Sequence, residues 1–479
     1  MTGKIKHLVC LMMENRSFDH MLGFMATPQY PVDGLTGAEF CRDSTGEPVK
    51  VSDDAAVAGD FTPDPGHHYP DVNMQIFGNY QGSPAGPLMQ GFVKAYEQHT
   101  HSVPKSHRIM RCYDPADPHK IPAIVKLAKE YANCDRWFSS APGPTLPNRA
   151  FLHAATSIGR VDMNPIWRNM SKTVYELLDE NGVTSTIYYS DWTVAMTFKN
   201  FASNQSKWFA TFDDFLEDCE HGRLPSYSLI EPRYNDCDGG GNCGACDQHP
   251  DHDIRAGDRL IWNVYDALRN GPAWENTLLA VIYDEHGGLY DHVTPPGTVN
   301  PDGKIATNVS ENIKTDPPIP SFDFTRLGVR VPAILISPWI EKSTIDHTVY
   351  DHTSVIATAR KLFLGDQWQD KFLTERDRRA NTFDHLLTRT EPRDDAPELD
   401  TAFDDVDPVP PLVSLDKPLT VHQQALVEQA FDMEQHLPAE RRKSGITAIG
   451  QIRTERDASN YIRLVVEEVM GPRKRVVGQ

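Results

Sequence analysis

Short apolar runs rich in β-branched residues alternate with stretches of helical periodicity, and this alternation constrains the fold of the chain more than any other feature. The runs are IKHLVCLMM (5–13), STIYY (185–189), SYSLI (226–230), TLLAVIYD (277–284) and VPAILIS (331–337). Between and after them come helical patterns at 121–132, 149–157, 174–182, 255–271 and 353–364. Such alternation predicts an α/β fold, a doubly wound, mostly parallel sheet flanked by helices. The 479 residues exceed what one core usually fills, about 300 residues. The expected division is a catalytic-type domain over 1–390 and, over 391–479, a linker plus a C-terminal helical extension packing on the core. The linker is the acidic, Pro-rich EPRDDAPELDTAFDDVDPVPPLVSLD (391–416), and the extension carries two amphipathic patterns, at 420–437 and 456–470. Residues 36–118 and 296–326 show little periodicity and read as long loop excursions, a size associated with lids and binding walls.

Charge narrows the function. Lys plus Arg number 47 against 67 Asp plus Glu, a net charge of −20, so the overall field repels nucleic acid and anionic membranes. Phosphate chemistry on such a chain calls for a local cation, and a bound divalent metal is the usual supply. No transmembrane segment is expected, since no apolar run approaches the roughly 18 residues needed. The N-terminal MTGKIKHLVCLMMEN runs into charged residues without a small-residue cleavage site. The expectation is therefore a first core strand and no conventional signal peptide, with a cytoplasmic location or export by another route. Eight cysteines are too few for a disulfide framework. Cys237, Cys243 and Cys246 cluster in a Gly-rich loop, where a metal knuckle would need His249 or His252 as a further ligand; a flexible loop is the simpler reading.

In open parallel sheets ligands sit beyond the carboxyl ends of the strands. The first strand ends on Glu14 and Asn15, and the 277–284 strand on Asp284, Glu285 and His286 before Gly287 and Gly288. Three carboxylates and an amide at one edge suit one or two hard divalent cations. Each piece alone could be a polar strand exit; their convergence favours a metal site. Thr145, in APGPTLPNRAFLHA (141–154), stands at a helix start. It is either a capping residue or a hydroxyl nucleophile beside an anion held at the helix N-terminus. His67, His68, His249 and His252 occupy loops, Asp191 ends a strand, and Asp351 and His352 precede a helix; together they could ring a phosphate and protonate a leaving group.

Six segments resemble, in order over roughly residues 5–365, the bacterial phosphoesterase family. They are HLVCLMMENRSFDHMLGF, PGPTLPNRAFLHAATS, DQHPDHDIRAGDRLI, VIYDEHGGLYDHVTPP, GVRVPAILISPWI and YDHTSVIATARKLF. That family holds phosphatidylcholine-type phospholipases C and acid phosphatases, within the alkaline phosphatase superfamily. The resemblance implies an alkaline-phosphatase-like core, a metal on Glu14, Asn15, Asp284 and Glu285, and Thr145 as nucleophile. It also implies phosphoryl contacts from His67 or His68 and from His249, with Asp191, His252 and His352 in the neighbourhood. In related sulfatases the T-x-P-x-R frame begins with Cys or Ser, so the threonine here argues against sulfate esters. The expected function is a metal-dependent phosphoric ester hydrolase of the phospholipase C type, acting on a phosphoester, with phospholipid among the candidates. Phosphomonoesterase activity, or non-catalytic binding of a phosphorylated ligand, are the alternatives. The export signal and β-rich C-terminal domains common among the family's phospholipases are not evident in this sequence.

Overall fold

The computed structural model describes residues 3–470 except 84, 85, 87, 165–169, 171, 202–204, 237–243, 251, 311, 312 and 399–414. Among these residues ten strands run in chain order: β1 (His7–Met13), β2 (Phe40–Arg42), β3 (Pro48–Lys50), β4 (Ala132–Cys134), β5 (Ser185–Tyr189), β6 (Phe209–Thr211), β7 (Tyr227–Ile230), β8 (Thr277–Tyr283), β9 (Ala333–Ile336) and β10 (Thr344–Asp346). Eight of them form one sheet in the order β10-β4-β9-β8-β1-β7-β5-β6, while β2 and β3 make a separate antiparallel ribbon. Strand β9 runs antiparallel to both its neighbours, β8 and β4, and the other pairs are parallel. The fold is thus the α/β, mostly parallel sheet flanked by helices that the alternating pattern predicts.

β1 lies at the centre, paired with β7 on one side and β8 on the other. Its apolar run is continuous rather than alternating because helices cover both faces; residues 8–13 are all buried. The five strands expected from sequence are present within two residues at each end. β4, β6 and β10, at three residues each, are too short to leave a periodic signature. β4 also falls at the end of the helical pattern at 121–132: the helix stops at Glu130 and the chain turns into the sheet.

The 36–118 excursion contains more order than its composition suggests. It holds the β2–β3 ribbon and helices Tyr69–Phe77 and Phe92–Thr100, packed around Val72, Ile76, Phe92, Tyr96 and Met110 with Leu289 and Tyr290 from the main domain. Helices Val421–Gln435 and Glu455–Met470 pack on each other, and their apolar faces, including Leu426, Ala430, Tyr461 and Val465, belong to the same core cluster as the sheet. Among the described residues no helix is long and apolar enough to cross a membrane.

Candidate active site

Two strand ends and one helix start meet beyond the carboxyl edge of the sheet. Glu14 and Asn15 lie just past β1, Asp284 and Glu285 just past β8, and Thr145 opens the helix Thr145–Ala154. All five are fully buried. The Thr145 hydroxyl lies 3.1 Å from Glu14 Oε2 and 3.2 Å from Asn15 Oδ1. The helix cap is Pro144 rather than Thr145, and no side chain caps this end. Thr145 is therefore the first helical residue, its hydroxyl is turned toward the residues after β1, and it does not cap this helix.

The rest of the TLPNR segment explains why the hydroxyl is held there. Asn148 accepts the Ala141 N–H at 3.0 Å and donates to the carbonyls of Gly143 and Pro144 at 3.0 and 3.1 Å, which fixes the PGPT turn. Arg149 pairs with Glu14 Oε1 at 2.7 Å, forms an ion pair with Glu231, and approaches Asp284 Oδ2 at 3.7 Å. One buried guanidinium thus serves three carboxylates. Asn15 adopts a left-handed backbone conformation, φ 51°, and its N–H donates to Asp284 Oδ1 at 3.0 Å. Gly287 and Gly288 let the β8 exit fold tightly against this turn: a Cβ on Gly287 would sit 2.3 Å from the Asn15 carbonyl oxygen, and one on Gly288 would sit 2.6 Å from that of Gly66. Both also have positive φ, 63° and 72°. Gly287→Ala is expected to displace Asn15 and cost about 2 kcal/mol or more, read as a lower Tm with a parallel loss of activity; a variant of wild-type Tm and activity would contradict this packing.

Electrostatically the pocket is short of cations. Burial raises the pKa of Glu14 well above the usual carboxylate range, and the neighbouring Asp284 charge adds to this while Arg149 opposes it. Glu285 is raised for the same two leading reasons. Asp284 Oδ2 and Glu285 Oε1 are buried without a hydrogen-bond donor among the described residues. Buried anionic oxygens of this kind suit a hard divalent ion. Among the described residues, three or more His, Cys, Asp or Glu ligand atoms come within 4.8 Å of one another only at Asp19, Asp291 and His292. There Arg330 already supplies the positive charge, donating to Asp19 Oδ1 at 2.9 Å and Asp291 Oδ1 at 3.0 Å.

Histidines line another wall. His67 and His68 stack with ring centroids 5.5 Å apart, and His67 lies 6.5 Å from His249. Asp64 stands between His67 Nδ1 at 3.9 Å and His249 Nε2 at 3.6 Å. His67 Nδ1 donates to the Pro65 carbonyl, so its neutral ring presents an acceptor at Nε2. Burial, reinforced by His68, His249 and His286, lowers its pKa well below the ordinary value. The segment 247–249 that carries His249 is tied to the end of β1: Glu14 N–H donates to the Asp247 carbonyl at 2.9 Å and Arg16 Nε to the Gln248 carbonyl at 2.7 Å.

The other sequence candidates sit one layer out. Asp191 accepts the N–H groups of Tyr234 and Asn235 and the Asn235 amide, at 3.0–3.2 Å. Its carboxylate anchors the loop after β7. His252 is engaged by Asp247 Oδ1 at 2.6 Å. His352 donates from Nε2 to the Asp284 carbonyl at 2.6 Å and accepts the Trp137 indole N–H at 3.4 Å, which steadies the β8 exit. Cys246 is a free thiol whose sulfur accepts the Arg233 N–H at 3.3 Å; Cys237, Cys243 and Asp251 lie outside the described residues.

Sequence reading passed over three residues. Glu231, immediately after β7, is bound by Arg149, by the Tyr234 hydroxyl at 2.6 Å and by the Thr193 hydroxyl at 2.9 Å; the strand-end rule applied to SYSLIE would have found it. Tyr234 lies under the Arg149 guanidinium, 5.3 Å from ring centroid to Cζ. His422, far along the chain on a C-terminal helix, is buried with Nδ1 4.0 Å from Glu14 Oε2.

Known proteins resemble the chain over most of its length. The model of the Phosphoesterase family matches residues 5–364. The chain is 39% identical over 416 residues to non-specific phospholipase C1 of Arabidopsis thaliana, covering 83% of this chain and 73% of that one. It is 27% identical over 413 residues to phospholipase C B of Mycobacterium tuberculosis, covering 75% and 73% respectively. Among solved structures, a protein in the alkaline phosphatase superfamily from Vibrio parahaemolyticus aligns over 58% of this chain and 66% of its own, at 11% identity and a TM-score of 0.32. The extent of the family match and the identity to the plant relative together place this chain in the Phosphoesterase family, as a phosphoric ester hydrolase.

Proposed function

We propose that the chain is a metal-dependent hydrolase of the phospholipase C type in which Thr145 attacks the phosphoryl group. The observation that carries this reading is the Thr145 hydroxyl, freed from capping and aimed at Glu14 and Asn15. Its position on the first turn of a ten-residue helix brings backbone N–H groups and the positive end of the macrodipole to the phosphoryl oxygens. A divalent ion held by Glu14, Asn15, Asp284 and Glu285 would polarise a nonbridging oxygen and favour the alkoxide form of the threonine. The hydroxyl proton faces Glu14 Oε2. Attack forms a bond from Thr145 Oγ1 to phosphorus and breaks the bond to the leaving oxygen, which takes a proton; water then cleaves the phosphothreonine.

His67 is a poor donor for that proton, because its Nδ1–H is held by Pro65 and its ring is kept neutral. His68 and His249 remain for the task, and we assign it to His249, whose Nε2 faces the Asp64 carboxylate. Names of the relatives support a lipid diester as substrate, since the 39% identical plant protein is called a non-specific phospholipase C.

The test is a panel of phosphatidylcholine vesicles, p-nitrophenyl phosphorylcholine and p-nitrophenyl phosphate, assayed before and after chelation. Both diesters should be hydrolysed faster than the monoester, with activity lost to chelator and restored by a divalent ion. Faster monoester turnover would overturn the phospholipase C reading. Failure of all three substrates with several divalent ions would favour a binding protein.

A further inference from the structure

The family model ends at residue 364, yet the pocket has a wall supplied from beyond it. We infer that the helix Val421–Gln435 belongs to the active site and that its His422 contacts the phosphoryl group of the substrate. The inference rests on the reading of Thr145 and Glu14 given above.

His422 is 3% exposed. Its ring lies 5.9 Å from that of His249 and 5.2 Å from that of Tyr234. Its Nδ1 is 4.0 Å from Glu14 Oε2, the same oxygen that faces the Thr145 hydroxyl at 3.1 Å. The imidazole therefore lies among Thr145, Glu14 and His249, and the four residues come from four separate parts of the chain. A ring N–H in that place is a donor to an anionic phosphoryl oxygen.

The helix is docked in a way that fixes this ring. Thr420 caps it by accepting the Gln423 N–H at 3.1 Å, and Gln423 Oε1 accepts the Thr420 N–H in return, also at 3.1 Å. Gln423 Nε2 donates to Glu455 Oε1 at 2.9 Å, and Glu455 also binds the Asp236 N–H at 3.1 Å and Lys417 at 3.0 Å. Further along the helix, Gln429 accepts the Trp192 indole N–H at 2.8 Å. His422, Ala425, Leu426 and Gln429 follow the i, i+3, i+4, i+7 spacing of one helix face, and all four are buried. Apolar residues alone would seat such a helix at lower desolvation cost. The polar residues on this face instead meet the loops after β5 and β7, which also carry Glu231 and Tyr234.

The experiment compares His422→Ala, His422→Asn and His422→Gln in the full chain, measuring kcat/KM on p-nitrophenyl phosphorylcholine, competitive inhibition by inorganic phosphate, and Tm. Val421→Ser, at a position 49% exposed on the same turn, serves as a control expected to match wild type. His422→Ala should lower kcat/KM by about 10²-fold, the usual effect of losing one donor to a developing anion. It should also raise the phosphate inhibition constant about tenfold, the equivalent of one lost hydrogen bond to a charged group, with Tm little changed. His422→Asn or His422→Gln, each retaining an N–H donor, should recover part of both. Wild-type kcat/KM and phosphate inhibition in His422→Ala would overturn the inference, as would equal losses in all three variants with lowered Tm and unchanged phosphate inhibition. Either result alongside an inactive Thr145→Ala would leave the threonine mechanism standing, whereas a fully active Thr145→Ala would remove the reading on which His422 depends.

Discussion

Thr145→Ala is expected to lower kcat/KM on any phosphodiester substrate by about 10³-fold or more, the scale on which loss of a nucleophile is felt. The folded state should lose far less. The side chain is small and does not cap its helix, and its hydroxyl hydrogen-bonds only Glu14 and Asn15 among the described residues. Loss of a methyl-sized group and one buried hydrogen bond amounts to about 1–2 kcal/mol. Activity and stability are therefore expected to separate at this position. Thr145→Ser, which keeps the hydroxyl, should retain far more activity than the alanine variant. Turnover close to wild type in Thr145→Ala, measured under conditions where chelation abolishes it, would remove threonine from the chemistry while leaving the metal in place.

The second large effect is expected at Arg149, where activity and stability should fall together. Its guanidinium is 2% exposed, is paired with Glu14 and Glu231, and stands 3.7 Å from Asp284. Arg149→Met would leave several buried carboxylates without their shared cation, a change that typically costs about 3–5 kcal/mol. Arg149→Lys should recover little, since an ammonium group cannot reproduce the fork that reaches both glutamates. Added divalent ion is expected to return part of the lost Tm, because a cation on Glu14 and Asp284 relieves the same repulsion. Differential scanning calorimetry with and without the ion checks this; a Tm equal to wild type in Arg149→Met would mean that the three carboxylates do not depend on this guanidinium.

Much of the sheet is readable from sequence because its central strands are long and covered on both faces, which turns them into continuous apolar runs such as HLVCLMM and TLLAVIY. Edge strands of three residues carry no such mark, and helices Tyr69–Phe77 and Phe92–Thr100 are hidden in a segment whose many Pro, Gly and Asp residues mask a small core completed by Leu289 and Tyr290. Glu14, Asn15, Asp284 and Glu285 are legible because they stand at the carboxyl ends of strands that the apolar runs already mark. Thr145 is not legible that way: a threonine at a helix start reads as a cap or as a nucleophile, and the structure shows only that it does not cap this helix. Asp191 is a strand-end carboxylate whose hydrogen bonds hold the loop after β7, a contact that sequence position alone does not reveal. His422 was invisible because nothing in TVHQQALVEQ distinguishes a site residue from the polar edge of an amphipathic helix. Only the docking of that helix, through Gln423, Gln429 and Glu455, brings it to the pocket.

Rapid acid quench of the enzyme during turnover of p-nitrophenyl phosphorylcholine, with peptide mass mapping of the quenched protein, tests the central claim most directly. The account predicts a phosphorylcholine or phosphoryl adduct on Thr145 within the peptide spanning APGPTLPNR, formed at a rate that can support steady-state turnover and absent from Thr145→Ala. An adduct on a histidine, or full turnover with no covalent adduct and direct incorporation of labelled water oxygen in a single step, would contradict it.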